Sequence, residues 1–67
     1  MNNYEVNNTI TIANITYTII ASEDVSHRPI LVAEGFARMM WLTRKGSRRT
    51  YSASVLTNGQ VTRPRGI

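Results

Sequence analysis

Between Met39 and Val61 two turn signals cut the chain into three runs that suit β-strands, and this limits the fold more than anything else in the sequence. Asn58-Gly59 separates Tyr51 to Thr57 from a short run beginning Gln60-Val61-Thr62. Asn-Gly accepts positive φ at both central positions of a two-residue loop, so it predicts a hairpin with a type I′ turn. Upstream, Lys45-Gly46-Ser47-Arg48 separates Arg38 to Arg44 from Arg49 to Thr57. A glycine in a polar stretch between strand-like runs indicates a second hairpin, with a connection of about four or five residues. Three antiparallel strands in a meander follow.

The amino-terminal part adds a hairpin of its own, with one long bent strand as the alternative. After a strand-like Tyr4-Glu5-Val6, Thr9 to Ile12 and Ile15 to Ala21 alternate around Ala13-Asn14. Ile10, Ile12, Ile15, Tyr17 and Ile19 then share one face, with the threonines on the other. Asn14 tolerates the left-handed backbone that a tight reversal needs. Ser22 to Pro29 breaks the alternation. In the segment that follows, Ile30, Ala33, Phe36 and Ala37 have helical spacing, which predicts about two turns of helix, ending at Gly35 to Ala37. Ser26 is its candidate cap and Pro29 belongs to its first turn. β-Branched Ile30 and Val32, and Gly35 in the interior, argue for a buried strand as the alternative.

The architecture expected is α+β, mainly β: a small antiparallel sheet or open barrel of about five strands, with one short helix near residues 28–37. Residues 1–67 form a single small domain. Arg63 to Ile67 read as a loose basic tail, since Pro64 has no N–H to give a ladder.

With 67 residues and no cysteine, one core supplies only about 3–5 kcal/mol and no disulfide adds to it. A homo-oligomer is one remedy. No run approaches the roughly 20 apolar residues of a membrane span, and MNNYEVNN lacks the basic and apolar parts of a secretion signal. The expectation is a cytoplasmic protein with no membrane partner. Asn7-Asn8-Thr9 and Asn14-Ile15-Thr16 match glycosylation acceptors and are read as chance matches in an Asn- and Thr-rich stretch.

Charge is divided sharply along the chain. Up to Glu34, four acids stand against Arg28, a balance of −3; from Gly35 onward there are seven basic residues and no acid, a balance of +7. A polyanionic partner is implied, either nucleic acid (DNA or RNA) or an acidic protein surface. The alternative is a solvated face that keeps sheet edges from pairing with one another.

Catalytic chemistry finds little support. A single histidine and no cysteine cannot build a tetrahedral zinc set of the usual ligands. Asp24, Ser26 and His27 are the residue types of a catalytic triad, but near-neighbours on one polar loop do not give nucleophile-to-base geometry. Glu23 and Asp24 with Glu34 could surround a metal, yet acids before a helix more often serve its amino terminus. The glycines at 35, 46, 59 and 66 never fall in phosphate-loop spacing. A non-enzymatic role without a cofactor is expected.

What remains is a basic hairpin tip beside an aromatic. Arg44, Lys45, Arg48 and Arg49 lie within six residues, and the arginine fork donates two hydrogen bonds at once to phosphate. Arg38, Arg63 and Arg65 join them as candidate nucleic-acid contacts. Along Arg38 to Arg44, Met39, Trp41 and Thr43 share one face while Arg38, Met40, Leu42 and Arg44 share the other. With Met40 and Leu42 inward beside Tyr51, Val55 or Leu56, Met39 and Trp41 form a stacking platform or subunit interface. The favoured expectation puts Trp41 in the core against Ile10, Ile12 and Tyr17. Tyr51, whose face Ala53 and Val55 continue, is expected in the core. In size, basicity and β content the chain is similar to accessory proteins of phages and mobile elements, without a motif that belongs to any one family.

Overall fold

The tightest turn of the chain fixes the first hairpin. In the computed structural model, which describes residues 4–67, β1 (Thr9–Ile12) and β2 (Ile15–Asp24) pair antiparallel with Ile12 opposite Ile15. Only two residues remain for the reversal. Ala13 (φ 52°) and Asn14 (φ 67°) are both left-handed, which is the backbone of a type I′ turn. The turn type expected at Asn58-Gly59 is therefore found here. At Asn58-Gly59 only the glycine is left-handed (φ 90°). Gly59 N–H donates to the Leu56 carbonyl (2.9 Å) and Leu56 N–H to that of Gln60 (2.7 Å). The Asn58 side chain accepts from Gln60 N–H at 2.9 Å, so its amide oxygen, not its backbone, makes the turn, as asparagine does in Asx-turns.

Three further strands, β3 (Phe36–Thr43), β4 (Tyr51–Leu56) and β5 (Arg65–Gly66), complete one open antiparallel sheet in the order β1-β2-β3-β4-β5. The fold is mainly β, as the alternation predicts. Tyr17, Ile19, Met40, Leu42, Ala53 and Val55 form the buried cluster, with Tyr4, Ile10, Ile12, Ile15, Tyr51 and Val61 packed around it. Each large apolar side chain buried there contributes about 1.5–3 kcal/mol before entropy is charged against it. Tyr17 meets Tyr51 edge to face, with centroids 5.6 Å apart and planes at 68°, the geometry that ring quadrupoles favour.

Two bulges change which side chains share a face. In the β2–β3 ladder Ile19 pairs with Leu42 and Ala21 with Trp41, so Ile20 has no opposite number. In the β3–β4 ladder Phe36 pairs with Leu56 and Arg38 with Val55, leaving Ala37 over. An extra residue reverses the side-chain phase on its own strand.

Several expectations need correction. The helix α1 (Pro29–Ala33) has five residues, not two turns. Gly35 at φ 94° ends it by a left-handed exit, and Phe36 and Ala37 belong to β3. Arg28, not Ser26, occupies the cap position and its side chain makes no capping bond; Ser26 N–H instead donates to Asp24 Oδ1 at 2.7 Å. β2 continues through Asp24, into the stretch expected as loop. Tyr4-Glu5-Val6 is not a strand: Val6-Asn7 is a turn, and Asn7 N–H and the Asn8 carbonyl bond the carbonyl and N–H of Ile19 at 2.8 and 2.9 Å. The β3–β4 connection spans residues 44–50, longer than expected.

The segment 63–67 is not loose. Arg65 and Gly66 pair with Ser52 and Tyr51, and Ile67 N–H donates to the Thr50 carbonyl at 2.9 Å. The run Gln60-Val61-Thr62, expected as the last strand, supplies only a bridge from Val61 to Val55 and a bond from Thr62 N–H to Ser54. Pro64 falls between these paired stretches, where its missing N–H breaks no ladder bond.

Candidate nucleic-acid interface

Strand alternation on β3 separates two kinds of apolar residue. Met40 and Leu42 are fully buried, opposite Ala53 and Tyr51. Met39 and Trp41 occupy the other face, both half-buried. Trp41 therefore does not pack with Ile10, Ile12 and Tyr17. Its cross-strand neighbours are Ala21 on β2 and Ser52 on β4, and Ser52 in turn pairs with Arg65. One row across the sheet thus reads Ala21, Trp41, Ser52, Arg65, an indole flanked by small side chains with a cation beyond. In the next row Met39 stands between Glu23 and Ser54, and Ser54 Oγ donates to Met39 Sδ at 3.1 Å.

The cations divide by what holds them. Arg38 is engaged within the fold: Nη1 donates to Ser22 Oγ at 2.8 Å and Nη2 lies 3.7 Å from Asp24 Oδ2, its side chain 17% exposed. It sits toward the end of β3 remote from loop 44–50, so it does not join the tip. Arg28 pairs with Glu23 at 2.9 Å. The Ser26 N–H bond, and after it the Arg38 charge, hold the Asp24 carboxyl below its ordinary value. Glu23 and Asp24 therefore serve as ion-pair partners at the end of β2, and among the described residues no group of acids and histidine is arranged to hold a metal.

The other six cations, Arg44, Lys45, Arg48, Arg49, Arg63 and Arg65, take part in neither of these ion pairs. The first four lie on loop 44–50. Because β5 runs beside Tyr51 and Ser52, Arg65 is brought to the same end of the sheet, and Arg63 lies alongside the middle of β4, between Arg65 and the Thr62–Ser54 bond. Arg44 stacks over the Tyr51 ring with its guanidinium carbon 5.5 Å from the centroid. The Tyr51 hydroxyl bonds Ser47 Oγ at 2.9 Å, and this bond, with the neighbouring arginines, lowers the phenol's affinity for its proton. A Cβ on Gly66 would meet Arg49 Nη1 at 3.2 Å, so Arg49 lies on the Tyr51 face while Arg65 lies on the Trp41 face. Lys45 and Arg48 are exposed between them.

Phe36, Ser52, Thr62, Arg63 and Arg65 line a cleft of about 430 Å³, within the range that small ligands occupy; Trp41 is not part of the lining and adjoins it through its partner Ser52. Thr62 Oγ1 accepts from Ser54 N–H at 2.8 Å, which leaves its own O–H free to donate. Phe36, Ser52 and Thr62 were not among the residues the sequence singled out. Nothing local marks them: period-two alternation puts Phe36 with Met40 and Leu42, and only the bulge at Ala37 turns it toward Ser52.

No protein-family model, curated protein or solved structure matches this chain. Among the described residues, no helix is long and apolar enough to cross a membrane.

Proposed function

We propose that this chain is a non-enzymatic, cytoplasmic nucleic-acid-binding domain that works through the loop 44–50 end of its sheet. The observation that carries this reading is that Arg44, Lys45, Arg48, Arg49 and Arg65, none of them in the two ion pairs, lie at that end with Arg63 alongside β4, while Arg28 and Arg38 at the other end are paired. Desolvating or screening an already paired cation gains little, whereas each free one can displace a counterion from a phosphate. Lys45, Arg48 and Arg49 are exposed on the loop, Arg44 stacks on Tyr51 beside them, and Arg63 and Arg65 extend the basic surface along β4.

The test is fluorescence anisotropy of labelled oligonucleotides at low and physiological salt. Six phosphate contacts give a log-log salt slope of about −4 on single strands. Arg48→Glu with Arg49→Glu removes two favourable contacts and adds two repulsive ones, and is expected to abolish binding at physiological salt. Absence of binding at low salt refutes the reading.

A second reading, a protein interaction module, draws on one observation. Helix α1 buries none of its residues, and its Ile30 (76%) and Val32 (39%) are exposed. That pattern suits a homo-oligomer contact or docking on another protein. Ile30→Glu would then change the sedimentation of the protein without changing its affinity for oligonucleotides.

A further inference from the structure

Resting on the nucleic-acid reading, we propose that the cleft beside Trp41 is a subsite for one unpaired nucleotide. The base stacks on the indole, and its phosphate is held by Arg63 and Arg65.

Three features converge on this ligand. First, Trp41 is half-buried and is bordered across the sheet by the short side chains of Ala21 and Ser52. A base would stack on the part of the ring left exposed between them. Second, the cation nearest in the same row is Arg65, across Ser52. Two strand spacings, about 10 Å, separate its backbone from that of Trp41, a gap that a nucleotide's base and phosphate can span between them. Third, the cleft carries hydroxyl donors as well as charge. Thr62 accepts from Ser54 N–H and still has an O–H to give, and Ser52 also lines the cleft. Two guanidinium groups with two hydroxyls and no acid make a surface complementary to an anion, while Phe36 closes the cleft on its apolar side.

A duplex does not suit this site. Its bases are stacked on one another and show only their edges, so an indole on a sheet face has nothing to stack upon. The subsite therefore selects single strands over duplexes, whereas the loop 44–50 arginines contact phosphates of either.

Trp41 is the sole tryptophan, so its emission reports on this subsite alone. The protein is titrated with thymidine and uridine oligomers of about twelve nucleotides, with a duplex of the same length, and with a backbone oligomer lacking bases. Both base-bearing strands are expected to quench Trp41. Trp41→Ala is expected to weaken their binding about 5- to 150-fold and to leave the abasic strand unaffected. Should that variant unfold, Arg63→Ala with Arg65→Ala alters two exposed side chains and is expected to reduce the salt slope by about 1.4. Equal affinity for base-bearing and abasic strands, or duplex binding as tight as single-strand binding with Trp41 emission unchanged, overturns the subsite and leaves the broader reading standing. No binding to any strand at low salt overturns both.

Discussion

Replacing Ala13 by glycine should stabilise the protein, although it removes a methyl group and adds no contact. Ala13 sits at φ 52° as the first residue of the β1–β2 turn and is exposed, so its side chain contributes no burial. In that left-handed region an L-residue's Cβ crowds the following carbonyl, at about 1–2 kcal/mol. Glycine escapes that cost but gives up about 0.4–1 kcal/mol through the greater freedom of its unfolded chain. At the middle of both ranges the difference leaves about 0.8 kcal/mol in favour of the variant. For a domain of this size that raises Tm by about 2–8 °C. Thermal unfolding followed by circular dichroism at fixed protein concentration is the assay. Ala13→Val supplies the opposite control, because a β-branched side chain tolerates positive φ least, and is expected to lower Tm. If glycine lowers Tm or leaves it unchanged while valine is harmless, the hairpin does not turn on a left-handed Ala13 and the β1–β2 register is wrong.

Two further outcomes test the core and its charged end. Leu42 is fully buried at the centre of the sheet, and Leu42→Ala should cost about 2–5 kcal/mol, as much as the total expected of so small a core. Urea titration should find that variant largely unfolded without denaturant. Asp24 titrates below its ordinary value of 3.8 because Ser26 N–H and then Arg38 favour its charged form. A depressed folded-state value means that its contribution is present above about pH 4 and is lost as pH falls through the folded value. Asp24→Asn should therefore show a shallower loss of stability below pH 4 than the parent protein, measured by urea midpoints across that range; an unchanged acid limb would refute the role given to the carboxylate.

How far the sequence could be read depended on whether the signal was local. Alternation along Thr9 to Ile12, Ile15 to Ile19 and Arg38 to Thr43 is a property of each run by itself, and it identified the strands and separated Met40 and Leu42 from Met39 and Trp41; it did not say which pair faces inward, and the favoured expectation of a core Trp41 was the wrong one. Tyr51 likewise followed from Ala53 and Val55 on its face. The turn chemistry was less transparent. Asn-Gly permits a type I′ turn but does not compel one, and three residues between Leu56 and Gln60 set a different loop. Ala13 carries no turn signal at all, yet the strands on either side leave it no other conformation. The tail failed for a related reason: Pro64 forbids a bond only at its own position, and the pairing of Arg65 and Gly66 with β4 depends on contacts far along the chain.

The surroundings of the candidate residues were hidden by the same kind of non-local effect, and the two bulges explain it. Simple alternation from Tyr17 and Ile19 would carry Ala21 and Glu23 inward and leave Ser22 and Asp24 outside. The extra residue Ile20 reverses this, so that Ser22 and Asp24 reach Arg38 on the core face while Ala21 becomes the small neighbour of Trp41. On β3 the extra Ala37 does the same for Phe36, taking it off the phase of Met40 and Leu42 and onto the face with Ser52 and Arg65. Without the first bulge, the register from Ile19 and Leu42 would set the larger Ile20 opposite Trp41; without the second, Phe36 would leave the cleft's face. Two unpaired residues thus dispose of Arg38 by pairing it internally and assemble two aromatics beside Arg63 and Arg65. An inventory of basic residues counts Arg38 among the contacts and omits Phe36, since it sees charge and composition but not the phase of a strand.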